Sequence, residues 1–149
     1  MRILIATDGS STAEAALRLG ALLLRGCSSE EVPVVLAVVP QAGNGPRAEA
    51  LLARAREILG APEAPARVRS GRLGEAIVRE AREGAYDLLI LPESRERRLL
   101  GRLRESSTAT QVVEQVPCAV LIVKGRVGPI RKILLCDSGA RRPSVLSRF

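Results

Sequence analysis

The chain has 149 residues, 46% of them apolar, and its net charge of +7 comes almost wholly from arginine, with Lys124 and Lys132 as the lysines. That length suits one domain with a substantial core and is too short for two complete ones. The absence of histidine excludes Ser–His and Cys–His nucleophilic catalysis, and Tyr86 and Phe149 are the only aromatics, so the core has to be aliphatic.

RILIAT (2–7) is a short apolar run that stops at Asp8-Gly9-Ser10, which predicts a buried strand and a turn. Ser11 and Glu14 stand at capping-box spacing, an apolar stripe follows, and Gly26 ends a first helix. VPVVLAVV (32–39) predicts a second buried strand. After the loop PQAGNGP, Ala48, Leu51, Leu52, Ala55, Ile58 and Leu59 recur at helical spacing up to Gly60. APARVRS (64–70) is a weaker strand, placed at a sheet edge by its arginines and Pro65. Leu73, Ile77 and Ala81 mark a third helix closed by Gly84, and YDLLILP (86–92) a fourth strand. Ala109, Val112, Val113 and Val116 mark a fourth helix, and CAVLIVK (118–124) a fifth strand.

Strands and helices alternate, and the strands are continuous apolar runs instead of alternating ones. Parallel sheets covered by helices on both faces have this pattern, so the fold class is a doubly wound α/β domain. Its ligand site should lie at the carboxyl ends of the strands. Domain boundaries fall at 1–126 for this unit and 127–149 for a linker and partial repeat. RKILLCDSGARRPSVLSRF (131–149) can be laid without a gap on MRILIATDGSSTAEAALRL, matching Ile3 with Ile133, Leu4 with Leu134, Gly9 with Gly139 and Arg18 with Arg148. An ordinary tail that happens to look like a strand is the competing reading.

Cys27, Cys118 and Cys136 are few and dispersed, which is neither a disulfide framework nor a metal cluster and fits a reducing compartment. No apolar run approaches the roughly 20 residues of a membrane span, and no signal segment precedes the first strand. The expectation is a soluble cytoplasmic protein. Nucleic-acid binding is disfavoured, because stacking aromatics are absent and no helix is uniformly basic.

Four segments invite a ligand reading. Asp8 ends the first strand and can accept hydrogen bonds from a ribose, or it can simply help to cap a helix. Gly43-Asn44-Gly45-Pro46-Arg47-Ala48 matches G-x-G-x-x-A but starts three residues too late after Val39 to be a dinucleotide fingerprint. PESRERRLLGRLRESST (92–108) leaves the fourth strand with Glu93, Glu96, five arginines (Arg95, Arg97, Arg98, Arg102, Arg104) and one glycine, Gly101. Ser106, Ser107, Thr108 and Thr110 gather where the fourth helix starts, as an anion seat or as a solvated cap. No Walker-type phosphate loop exists.

The opening ILIATDGS, the VLAVVP strand, G-x-x-G-E-A-I leading into Y-D-L-L-I-L, and the closing V-P-C-A-V-L-I-V together resemble the universal stress protein family over residues 1–124. The resemblance implies a five-stranded parallel sheet of order 3-2-1-4-5, the adenine-nucleotide alpha-hydrolase-like fold. It also implies dimerisation through strand five, along Ala119, Val120, Leu121, Ile122, Val123 and Lys124. Many members bind ATP, with an aspartate after strand one near the ribose, backbone at the end of strand two near the adenine, and a G-x-x-G-x9-G-[ST] segment on the phosphates. Those roles fall here on Asp8, on Val38, and on Glu93, Glu96, Ser106 and Ser107, so three glycines are replaced.

A glutamate in place of such a glycine blocks close backbone approach and adds negative charge. Two like charges about 5 Å apart repel by roughly 3 kcal/mol at an effective dielectric of about 20. The expectation is a non-catalytic, dimeric stress-response module with a degenerate nucleotide site, no cofactor and no metal, and an unidentified protein partner. The alternative is an ATP–Mg²⁺-binding regulator in which Arg95, Arg97 or Arg98 replaces the glycine cradle beside Ser106, Ser107 and Thr108.

Overall fold

The computed structural model describes residues 1–26, 32–40, 45–93 and 108–134. Within them the chain forms β1 (Ile3–Thr7), α1 (Ser11–Gly26), β2 (Val34–Val39), α2 (Gly45–Leu59), β3 (Ala66–Ser70), α3 (Leu73–Gly84), β4 (Leu88–Pro92), α4 (Thr108–Gln115) and β5 (Ala119–Val123). All neighbouring strands pair in parallel, in the order β3-β2-β1-β4-β5. Among the described residues no helix is long and apolar enough to cross a membrane.

Strand alternation divides the core between two faces. Ile3, Ile5, Val35, Ala37 and Ile90 meet Leu17, Leu52 and Leu59 beneath α1 and α2. Leu4, Leu36, Val38, Leu89 and Leu91 meet Ile77 of α3 and Val112 of α4 on the other face. β1 and β2 are buried along their whole lengths, which is why they read as unbroken apolar runs. Of the residues that mark α4, Val112 points into the core and Val113, one residue away, is exposed.

The strands start later than expected. β2 begins after Pro33 and β3 after Pro65, whose carbonyl accepts from the Val35 amide. Tyr86 and Asp87 precede β4: the Asp87 carboxylate accepts from the Arg2 amide at 2.7 Å, while Tyr86 enters a buried polar network. The cap of α1 also shifts by one residue. Asp8 Oδ1 accepts from the Ser10 amide, and the resulting turn makes Ser10, not Ser11, the residue whose Oγ accepts from the Ala13 amide at 3.2 Å. Glu14 is thereby released from any capping box and pairs with Arg54 of α2 at 3.2 Å and with Arg18.

At the β3 edge, Glu80 of α3 is 2% exposed. Its carboxylate accepts from the Tyr86 hydroxyl at 2.9 Å and from Arg69 Nε at 2.9 Å, with Arg67 at 3.8 Å. Arg69 also bonds Glu83, and the Arg2 guanidinium lies 5.0 Å from the centre of the Tyr86 ring. Burial, reinforced by the bond to Glu80, pushes the Tyr86 hydroxyl up to about 12. Past β5 the chain turns at Gly125, and Val127 packs against the α1–α2 core. Residues 126–134 form neither helix nor strand, so the start of the repeated segment makes no strand up to Leu134, and Ile130, Ile133 and Leu134 are exposed.

Candidate functional site

The sheet order reverses between β1 and β4, since β2 lies on one side of β1 and β4 on the other. Ligand crevices of doubly wound sheets open at such a point. Here the end of the β1–β4 ladder has an identifiable cause. β1 pairs with β2 up to Thr7↔Ala37, and β4 with β5 up to Pro92↔Val123, but β1 pairs with β4 only as far as Ile5↔Ile90. Leu88 donates to Arg2 on the β1 side, and Glu93 donates to Val123 on the β5 side. Alternation of peptide direction therefore turns the Pro92 nitrogen toward β1, and a proline nitrogen has no proton to donate. The hydrogen-bond ladder between the two central strands ends where that donor is missing.

Counting each register one step past its ladder brings the candidate residues onto one tier. Val38 falls beside Asp8 and Glu93 beside Lys124, and both pairs stand at the carboxyl end of the sheet. The tier thus runs Val38, Asp8, Glu93, Lys124 across the carboxyl ends of β2, β1, β4 and β5. Val35 donates toward β3 and Val39 accepts from Gly71 on that same side, so the peptide groups of Val38 face β1, where its amide belongs to the ladder that ends at Thr7↔Ala37 and its carbonyl lies one step past it.

Each member of the tier is held locally. Asp8 is half-buried, and its Oδ1 accepts from the Ser10 amide at 2.9 Å. Thr7 is buried, and its Oγ1 accepts from the Gly9 amide at 3.2 Å. Gly9 has φ +81°, a backbone sign that favours glycine, and a Cβ there would displace the Leu51 methyl of α2. The Glu93 amide donates to the Val123 carbonyl at 2.9 Å, and its carboxylate accepts from Lys124 Nζ at 2.9 Å. Gly125, at φ +76°, turns the chain directly after Lys124 and keeps that lysine at the rim.

Of the residues expected at the site, Asp8, Val38 and Glu93 stand at the carboxyl ends of β1, β2 and β4. Thr108 is the first residue of α4 and packs close to Gly74, near the start of α3. Arg95, Arg97, Arg98, Glu96, Ser106 and Ser107 lie outside the described residues, as do Gly43 and Asn44 of the G-x-G-x-x-A segment. The rest of that segment is the first turn of α2. Among the described residues no group of three His, Cys, Asp or Glu side chains is placed to hold a metal ion. Sequence reasoning missed Pro92 as the cause of the ladder's end and Lys124 as the partner of Glu93. Both become visible only once the register is known.

At the proposed interface strand, Ala119 and Ile122 are exposed, Val120 and Leu121 half-buried, and Val123 buried toward α1 and α2. Cys118, a free thiol just before β5, is pushed up by burial.

A parallel sheet of order β3-β2-β1-β4-β5 with helices on both faces, its switch point between β1 and β4 and an aspartate directly after β1, defines a doubly wound α/β protein. Comparison with known proteins narrows that class. The universal stress protein family model matches residues 1–124, and the chain belongs to that family. No curated protein matches it. Among solved structures, a universal stress protein in complex with cAMP is similar at 25% identity and TM-score 0.62, covering 83% of this chain and 96% of its own. A universal stress protein from Archaeoglobus fulgidus in complex with dAMP shares 22% identity at TM-score 0.58, over 83% and 98% of the two chains. A family member from Arabidopsis thaliana with AMP bound shares 15% identity at TM-score 0.60, over 85% and 92%.

Proposed function

We propose that this protein is a non-catalytic, dimeric regulatory module of the cytoplasm whose crevice accepts the nucleoside part of an adenine nucleotide but does not hold ATP tightly. The observation that carries this reading is the tier Val38–Asp8–Glu93–Lys124. Its β2 and β1 members keep what a nucleoside needs. The Val38 carbonyl lies just past the β1–β2 ladder, and the Asp8 carboxylate, one of whose oxygens accepts from Ser10, has further lone pairs for a hydroxyl. Relatives described with cAMP, dAMP and AMP support that ligand class.

The β4 member argues against a triphosphate. Glu93 places a carboxylate where the chain leaves the sheet, at the same carboxyl end as Asp8. A polyphosphate entering between them meets like charge from both strands. Among the described residues, Glu93 does not suit the phosphates of ATP, and the sequence has no histidine to serve as a general base, so the reading is a non-catalytic one. For the dimer, support comes from β5, an outer strand whose exposed face is aliphatic. Thermal-shift titrations test the reading: adenosine and AMP should stabilise the protein saturably, and ATP with Mg²⁺ should not. Saturable stabilisation by ATP–Mg²⁺ at micromolar concentration overturns it.

A further inference from the structure

We propose that residues 126–134, with the outer face of α1 beside them, form a basic and aliphatic surface that docks on the headgroup region of an anionic lipid bilayer. This surface uses no residue of the crevice and does not depend on what the crevice binds.

The segment holds three cations, Arg126, Arg131 and Lys132, and no acidic residue. Gly125 turns the chain off the sheet, and Val127 pins it against the α1–α2 core, so the place where the segment leaves the fold is fixed. Beyond that anchor the backbone forms neither helix nor strand, and Ile130, Ile133 and Leu134 are 58%, 78% and 86% exposed. Among the described residues these are the three most exposed large apolar side chains. A groove of about 230 Å³ beside the anchor is lined by Arg18, Leu22 and Arg25 of α1, Ile58 of α2 and Pro129, and no carboxylate lines it. The arginines of β3 are held by Glu80 and Glu83, whereas Arg25, Arg126, Arg131 and Lys132 make no ion pair with a described residue.

Solvated charge alone does not explain this surface, because its aliphatic side chains stand in water beside the cations. An anionic bilayer answers both halves. Cations settle in the negative potential of the headgroups, and isoleucine and leucine reach the acyl boundary just below. The flexible stems of arginine and lysine span the two levels. A nucleic acid would satisfy the charges only, since the segment has no aromatic side chain to stack on a base.

Co-sedimentation of the full chain with vesicles tests this, with equal parts phosphatidylserine and phosphatidylcholine in one series and phosphatidylcholine alone in the other. The protein should bind the first, fail to bind the second, and lose affinity as salt rises. Arg131→Gln/Lys132→Gln should weaken binding roughly twentyfold, each cation near such a surface being worth about fivefold. Ile133→Ser/Leu134→Ser should weaken it about tenfold or more through lost apolar burial, with the salt dependence unchanged. Arg102→Gln/Arg104→Gln removes the same charge from the loop after β4, and its affinity should stay within about twofold of the unsubstituted protein. Absence of binding to the phosphatidylserine vesicles, or binding that the loop variant loses and the tail variants keep, overturns the proposal. Full binding by Ile133→Ser/Leu134→Ser marks a surface for any polyanion and overturns the bilayer reading too. The four substituted tail side chains are exposed, so circular dichroism should show those variants folded.

Discussion

The two outer strands of the sheet are managed in opposite ways. β3 carries Arg67 and Arg69, and both reach toward the buried Glu80 of α3, with Glu83 adding a second carboxylate to Arg69. β5 carries AVLIV, with Ala119 and Ile122 exposed and no ionisable side chain within the strand. An edge armed with charge resists pairing with another chain, and an aliphatic edge invites it. The difference is the reason the proposed dimer is assigned to β5. It also shows that the arginines of β3, which contribute to the high net charge, serve the fold and are not a polyanion surface.

The largest expected effect concerns the β3 edge. Glu80→Ala should cost about 3 kcal/mol of unfolding free energy, because it leaves Arg69 and the Tyr86 hydroxyl beside an uncompensated buried site. Urea titration measures this, and a change within about 0.5 kcal/mol would mean that the edge is not held by its charges. Tyr86→Phe should cost about 1 kcal/mol, the worth of a single buried hydrogen bond.

The same tyrosine sets a pH dependence. Its folded value is raised to about 12 from 10.0. Below pH 10 both states hold the proton and the full stability is present. As pH rises from 10 toward 12 the unfolded state ionises first, so stability falls. Thermal melts across that window should show a decline for the natural sequence that is smaller in Tyr86→Phe.

For the β5 edge, Ile122→Lys should abolish the proposed dimer in light scattering while changing monomer stability by no more than about 0.5 kcal/mol. Val68→Lys is the matching control. It is an equally exposed position on β3, and the expected result is no change in either mass or stability. A dimer that survives Ile122→Lys but fails with Val68→Lys would reverse the comparison.

Much of this architecture was legible in the residues. Unbroken runs such as ILIAT and VVLAVV identify strands buried on both faces, and the alternation with helices leads to a parallel sheet. The arginines and Pro65 marked β3 as an edge before any pairing was known. Less legible were features set by register. Asp8 and Glu93 are 85 residues apart in the chain and reach the same end of the sheet only through the parallel β1–β4 pairing. Glu80 reads as one more polar residue on an amphipathic helix, and nothing local shows that it is buried beneath two arginines and a tyrosine. The cap of α1 moved from Ser11 to Ser10 because an Asx turn at Asp8 competes with the capping box, and the two differ by a single residue.

The missing proton of Pro92 has a further consequence. A gap in a ladder that depends on side-chain contacts can close when they rearrange. Here β4 lacks a donor toward β1 on the covalent chain itself, so that one hydrogen bond cannot form in any conformation. Side chains elsewhere on the two strands can therefore change while the end of the β1–β4 ladder stays where Pro92 put it.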